Sequence, residues 1–462
     1  MRRSLASVVL LATLPLAACK ATPESAVDGE PPAKILLVTV DTTRADHVSA
    51  YGYARQTTPK IDALARHGVR FANAYTVMPT TDPSHASMLT GEYPRTHGIV
   101  SNGARRANPE GPSLGAWLGE RGYLTAAITA RIGLDPPLRR IRGFEEVDAP
   151  RLPQKHRTAT EVLERATRWL TERSGERWFL WVHFWEPHKP YQPDEPERRA
   201  FAAGVPRTRR YEDPIRFLAR GETVPRDVVE AATALYDAEI WSADRAVGRL
   251  VEAATDAAPA GREPLILVLG DHGESLADRP LETRVGFGHG THINDEVVKV
   301  PWIVVWSGHL HPAVIYTPVS LVDLAPTLID LVEPGARFDC EGRSVASTLR
   351  DGGEPPPAPV VIDRRRFQSR PVPGLRHDEL AWIEYPWKLI RNDGARSPLL
   401  YRLDDDPGET RNLAETEAAV TARLSAAMAR WKAERPLARD DEPLTPEREA
   451  EQEALRSLGY ID

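Results

Sequence analysis

The stretch PTTDPSHASMLTG, residues 79–91, puts hydroxyls and an imidazole directly ahead of a run of helix formers. Asp82 reads as a helix cap and Pro83 as the first helical residue, with Ala86, Met88 and Leu89 continuing the turn. Thr81 then stands just outside a helix N-terminus, where unpaired N–H groups and the helix dipole favour an anion or a developing alkoxide. Far away in the chain, Asp41 closes the apolar run AKILLVTVD, and Asp271 with His272 closes PLILVLGDH. Two carboxylates and an imidazole at one sheet edge are the donors of a divalent metal site, so Asp41, Asp271 and His272 are its candidate ligands, with the Thr81 hydroxyl beside them. An aspartate after a strand is also an ordinary cap, and it is the conjunction that points to chemistry. A third run, WFLWVHFWEPH, ends in His188.

The elements that position these groups are apolar runs separated by helical patterns. The runs ending at Asp41, Ala130, His188, His272 and Trp306 read as buried parallel strands. Between them lie TTPKIDALARHG, with Thr58 as cap, Pro59 at the first turn and Gly68 as stop, and a long helix over about 228–254. The alternation implies an α/β sandwich with a large, mostly parallel central sheet flanked by helices, in which ligands gather at the carboxyl ends of the strands. Past about residue 370, two strand-like runs around Asn392-Asp393-Gly394 and a helix over 415–434 imply a small C-terminal antiparallel sheet with a packing helix. Trp178, Trp181 and Trp185 inside a strand-like run fit core or pocket wall.

At 462 residues, with 59 Lys+Arg against 66 Asp+Glu, the chain is mildly acidic and lacks a basic run, which excludes nucleic acid as the expected partner. The opening MRRSLASVVLLATLPLAACK has the basic pair, short apolar run and small residues of an export signal. Its LAAC resembles a bacterial lipoprotein signal, which implies lipidation of Cys19, a membrane anchor through that lipid and a periplasmic or surface location. The organisation expected is a signal over 1–18, a tether over 19–32, a catalytic domain over 33–365 and a C-terminal subdomain over 366–462. With Cys19 lipidated, Cys340 has no partner within the chain.

Eight ordered stretches, among them ILLVTVDTTRADHVSAYGY, TDPSHASMLTGEYPRTHG, WEPHKPY, LVLGDHGESL and YRLDDDPGETRNLAE, resemble the sulfatase family of the alkaline phosphatase superfamily. The likeness runs from about residue 33 to Asp462. It implies that Thr81 occupies the nucleophile position, where sulfatases carry a cysteine or serine matured to formylglycine, and that Asp41, Asp271 and His272 occupy metal-ligand positions. It further implies a substrate-contacting or acid role for His188. His289 lies near the family's catalytic lysine, with His292 its competitor. His85 stands where the family has an arginine, as a catalytic or an outer, structural group. Glu186, His188 and His289 together could form a second metal site. His47 and His97 read as packing residues.

The departures are informative. The methyl on the threonine Cβ prevents an aldehyde, so no formylglycine is expected at Thr81. Thr42 and His272 replace a carboxylate and an amide of the family pattern, which favours zinc or manganese over calcium. The reading is a metal-dependent hydrolase of sulfuric or phosphoric esters (phosphate, phosphodiester or phosphonate) with an unmodified threonine nucleophile. Two alternatives stay open here: a non-catalytic binder of an anionic glycan or headgroup, and a transferase passing the group to another hydroxyl.

Overall fold

The computed structural model describes residues 30–103, 111–131, 143–214, 222–259, 261–278, 287–365, 377–393 and 397–436, with single positions at 216, 217, 220, 450 and 453. The export signal and Cys19 lie outside the described residues.

Alternate apolar residues along the first strand, β1 (Lys34–Val40), face opposite sides of the sheet. Ile35 and Leu37 enter one core, and Leu36, Val38 and Val40 enter another. Seven further strands complete the sheet: β2 (Val69–Phe71), β3 (Leu124–Thr129), β4 (Glu146–Asp148), β5 (Trp178–Phe184), β6 (Leu265–Gly270), β7 (Trp302–Val305) and β8 (Ala313–Ile315). Their order is β8-β2-β7-β6-β1-β5-β3-β4. Helices α1 (Pro59–His67), α3 (Ala159–Glu172) and α4 (Arg226–Asp256) cover one face, and α2 (Thr81–Thr90) and α5 (Leu324–Val332) the other. Trp178 and Trp181 are core residues. Among the described residues no helix is long and apolar enough to cross a membrane.

One local expectation is corrected and another gains a physical reason. The run ending at Trp306 is not a parallel strand, because β7 pairs antiparallel with both β6 and β2. The chain leaves β6 and re-enters through Pro301 at the same sheet edge, where the Gly270 N–H donates to the Pro301 carbonyl at 3.1 Å, so the next strand must run back. Gly68 does end α1, but its backbone is extended (φ −130°); what it provides is room, since a Cβ there would lie 2.4 Å from the Val304 carbonyl oxygen.

The C-terminal sheet is antiparallel, with β9 (Val360–Arg364), β10 (Glu379–Glu384), β11 (Trp387–Asn392) and β12 (Leu399–Arg402) in that order. Its first strand comes from 360–364, just ahead of the boundary expected at 365–366. The run before Asn392 is two strands reversing at Tyr385 and Pro386, where a missing N–H costs no ladder bond. Gly394 lies outside the described residues. Helix α6 (Ala418–Glu434) lays Leu424, Met428 and Trp431 on one face, which also meets Val77 and Met78. The other face packs on Ile293, Val297 and Val298. The small sheet therefore braces both the approach to Thr81 and the segment after His289.

Candidate active site

β1 delivers Asp41 and β6 delivers Asp271 and His272 to the same carboxyl edge, all three fully buried. Asp271 Oδ1 accepts the N–H groups of Thr42 (3.0 Å) and His272 (2.8 Å), whereas its Oδ2 is buried without a hydrogen bond. Thr42 is held at φ +51°, a strained conformation for a β-branched residue, and this aims its N–H at that oxygen. Gly273 lets the turn pass close to a neighbouring segment, since a Cβ would sit 2.2 Å from the Glu296 carbonyl oxygen.

The tautomer of His272 follows from its partner. Nδ1 lies 2.9 Å from the Gly273 carbonyl, which can only accept, so Nδ1 carries the proton and Nε2 the lone pair. Nε2 faces Thr81 Oγ1 at 3.3 Å, Asp271 Oδ2 at 3.5 Å and Asp41 Oδ1 at 3.7 Å. The last two are too long for good hydrogen bonds, but they suit two donors on one cation, since bonds of about 2.0–2.2 Å put tetrahedral ligands roughly 3.4 Å apart. Ligand atoms of Asp41, Asp271 and His272 all lie within 4.8 Å of one another. Burial favours the neutral acid at both aspartates. At Asp41 a contact with His183 and the charges of His188 and His272 outweigh it and hold the carboxyl well below its ordinary value. At Asp271 burial and then the Asp41 charge push it well above. A pair that cannot ionise together without a cation, with one orphaned oxygen, fits a divalent metal.

Thr81 is the first residue of α2, with Thr80 at the cap, so the helix begins two residues earlier than the Asp82-Pro83 pair suggested. Asp82 is occupied elsewhere: one carboxylate oxygen pairs with buried Arg131 and the other accepts the Gly103 N–H at 2.7 Å. The first turn offers no run of amides to an anion either. The Asp82 N–H donates to Asn102 Oδ1 (2.8 Å), Pro83 has none, and the Ser84 N–H donates to the Thr80 carbonyl.

His85 does not reach outward. The Trp181 indole N–H donates to Thr39 Oγ1 (2.9 Å), leaving that hydroxyl to donate to His85 Nε2 (3.0 Å), so His85 Nδ1–H donates to the Thr81 carbonyl at 2.8 Å. Burial, then His183, holds its imidazole well below the ordinary value, and so neutral. His85 is thus placed to fix the Thr81 backbone. His188 lies under Trp185, its Nδ1–H donating to the Lys189 carbonyl at 2.7 Å. The His289 ring lies tilted 4.4 Å from that of His272 and edge-on 5.2 Å from that of His188. His292 instead bonds Glu296 at 2.9 Å and Thr291 at 3.0 Å. Glu186 is engaged away from both histidines, accepting the Ala159 N–H at the start of α3 (2.8 Å), with burial pushing its acid up to about 7. No group of Glu186, His188 and His289 close enough for one metal occurs among the described residues. His97 is a packing residue, pushed down to about 3 by burial, and His47 is tied to Asp237 at 2.7 Å.

Two buried groups escaped the sequence reading. Glu274 Oε1 meets His289 Nδ1 at 3.3 Å; burial would raise this acid, but the charge of His289 holds it below its ordinary value. His183 Nε2 lies 3.5 Å from Asp41 Oδ2. The available signals were a glutamate three residues after Asp271 and one imidazole in an otherwise apolar run.

An α/β sandwich with a hydroxyl, two carboxylates and clustered imidazoles at its carboxyl edge defines a class of ester-cleaving folds. The sequence model described as Sulfatase matches residues 33–334. A Delta 4,5-hexuronate-2-O-sulfatase of Bacteroides thetaiotaomicron is 25% identical over 433 residues, covering 82% of this chain and 84% of its own. The multifunctional alkaline phosphatase superfamily protein PehA of Trinickia caryophylli is 24% identical, covering 82% and 91%. Among solved structures, a phosphonate monoester hydrolase from Silicibacter pomeroyi superposes with a TM-score of 0.70 at 20% identity, covering 87% of this chain and 96% of its own. The chain belongs to the sulfatase family.

Proposed function

We propose that the protein hydrolyses sulfuric or phosphoric esters, with a preference for phosphate, phosphodiester or phosphonate esters, using unmodified Thr81 as nucleophile. The observation that carries this reading is Thr81 Oγ1 standing 3.3 Å from His272 Nε2 beside Asp41 and Asp271. Asp41, Asp271, His272 and the Thr81 hydroxyl would hold a divalent metal, and the mixed nitrogen and oxygen set favours zinc or manganese over calcium. When bound, the metal supplies positive charge that lowers the pKa of the Thr81 hydroxyl and offsets the anionic ester.

Thr81 Oγ1 then attacks phosphorus or sulfur in line, forming an ester to the protein as the bond to the leaving oxygen breaks. His85, by gripping the Thr81 carbonyl, keeps the hydroxyl aimed. His289 protonates the leaving oxygen: with Nδ1 against Glu274 Oε1, its ring is oriented by that contact and Nε2 is the nitrogen left to deliver the proton. His188, held neutral by its burial, is the poorer acid and serves to contact substrate. Water hydrolyses the threonyl ester and regenerates Thr81. A threonyl phosphate turns over by this route, whereas a threonyl sulfate lacks the elimination open to formylglycine, hence the preference for phosphorus. The acidic chain and its opening LAAC support export as a lipoprotein anchored through Cys19; Cys19→Ala should move the protein from the membrane to the soluble fraction.

The test strips metal from the protein, reloads zinc, manganese or calcium, and compares aryl sulfate, aryl phosphate, bis-aryl phosphate and aryl phosphonate. Metal-dependent turnover of a phosphorus ester that falls at least ~10³-fold in Thr81→Ala and survives in Thr81→Ser is expected. Full activity in Thr81→Ala, or none on any ester with metal bound, overturns the reading.

A further inference from the structure

We infer that Tyr236 is a positioning residue of the metal centre: its hydroxyl holds Thr42 in the backbone conformation that aims the Thr42 N–H at Asp271, so the carboxylate is set before a cation arrives. The inference rests on the reading of Asp41, Asp271 and His272 as that centre.

The turn after Asp41 works against its own side chain. A β-branched residue disfavours a positive φ, yet Thr42 sits at +51°. The turn is also tight, since a Cβ on Gly270 would lie 2.7 Å from the Thr43 carbonyl oxygen. Left alone, Thr42 would relax toward negative φ, and its N–H would swing off Asp271 Oδ1, which it meets at 3.0 Å. That N–H and the N–H of His272 (2.8 Å) together occupy Oδ1, which leaves Oδ2 facing His272 Nε2 at 3.5 Å. Losing one of the two donors lets the carboxylate rotate and takes the oxygen offered to the cation out of place.

A hydroxyl 194 residues away in the chain, on α4, opposes that relaxation. A carbonyl can only accept and an amide can only donate, so the Tyr236 hydroxyl donates its proton to the Thr42 carbonyl (2.6 Å) and accepts the Arg44 N–H (3.1 Å). One oxygen thus spans the turn from residue 42 to residue 44. The ring behind it is fully buried, with Tyr191 edge-on at 5.7 Å and His47 edge-on at 5.2 Å. The next residue on the helix, Asp237, holds the chain as it leaves the turn, through His47 Nδ1 (2.7 Å), the Tyr53 hydroxyl (2.9 Å) and Arg55 (2.6 Å). Helix α4 therefore offsets the strain at Thr42 within the metal-free protein, and a cation binds without having to impose it.

The experiment measures the zinc affinity of the full chain by competition with a chromophoric chelator, in a cycle of Tyr236→Phe, Thr42→Gly and the double variant. Tyr236→Phe should weaken zinc binding about 10- to 100-fold, because the cation must then impose the strained turn itself. Glycine takes a positive φ without strain, so in the Thr42→Gly background the same change should cost under about 2-fold. The cycle cancels whatever the Thr42 hydroxyl itself contributes, and a Tyr236 that only packs would lower the denaturation midpoint in both backgrounds with zinc affinity unmoved. Wild-type affinity in Tyr236→Phe, or an equal loss in both backgrounds, overturns the inference and leaves the metal centre standing; no zinc on the wild type overturns both. Should Tyr236→Phe fail to fold, amide hydrogen exchange on the wild type decides. The Thr42 and Arg44 amides should be protected already without zinc, and protection that arises only with zinc overturns the inference.

Discussion

Glu274 and His289 form the pair through which the leaving oxygen would receive its proton. Removing the charge but not the shape, Glu274→Gln, should lower kcat about 10- to 100-fold with little change in KM. An unchanged kcat would show that Glu274 only packs. Legibility at this scale depended on where a polar residue fell. Asp41, Asp271 and His272 were visible because they close apolar runs, where a strand's end meets solvent or ligand. His183 lies within such a run, and in a strand buried on both sides the sequence gives no sign which side faces the site. Asp82 misled in the opposite direction: it has the type and place of a cap, but Arg131 and Gly103, distant in sequence, claim its carboxylate.

Between elements, one buried cation ties the small sheet to the site. Lys388 of β11 lies 2.7 Å from both Asp295 and Glu409, and the Asp295 N–H donates to Glu409 at 2.9 Å, six residues beyond His289. Burial alone would lower this ammonium, yet the two carboxylates hold it above its ordinary value. Lys388→Met leaves those charges unpaired and should destabilise by about 3–5 kcal/mol, read as a lowered midpoint in chemical denaturation. Adding Asp295→Asn and Glu409→Gln should recover much of the loss. If Lys388→Met is neutral, the triad does not brace the segment. The sequence showed the elements well but not their direction or partners. The helices at 59–67 and 226–256 appeared near their places, since capping and 3.6-residue periodicity are local. That β7 runs backwards could not be seen, because VPWIVVW reads as a buried strand in either orientation.

For the molecule as a whole, several acids are buried with few counter-charges, and this sets a pH dependence of stability. Asp244 accepts the N–H groups of Lys60 and Ile61 at the start of α1, and burial pushes its acid up to about 7 from an ordinary 3.8. A folded value above the unfolded one means that the native state holds the extra proton, so this contribution is present at low pH and is lost as pH rises through about 7. The melting temperature of the wild type should therefore fall relative to Asp244→Asn between pH 5 and 8, as followed by calorimetry. A constant difference across that range would mean that Asp244 is ionised throughout. The reversal of β7 has a different consequence. Residues 271–300, which include His272, Glu274 and His289, leave and rejoin the sheet at adjacent points on one edge, so this excursion can lengthen or shorten without shifting a strand. A change of length there would reshape what lies over the carboxyl edge while the strands beneath stay fixed.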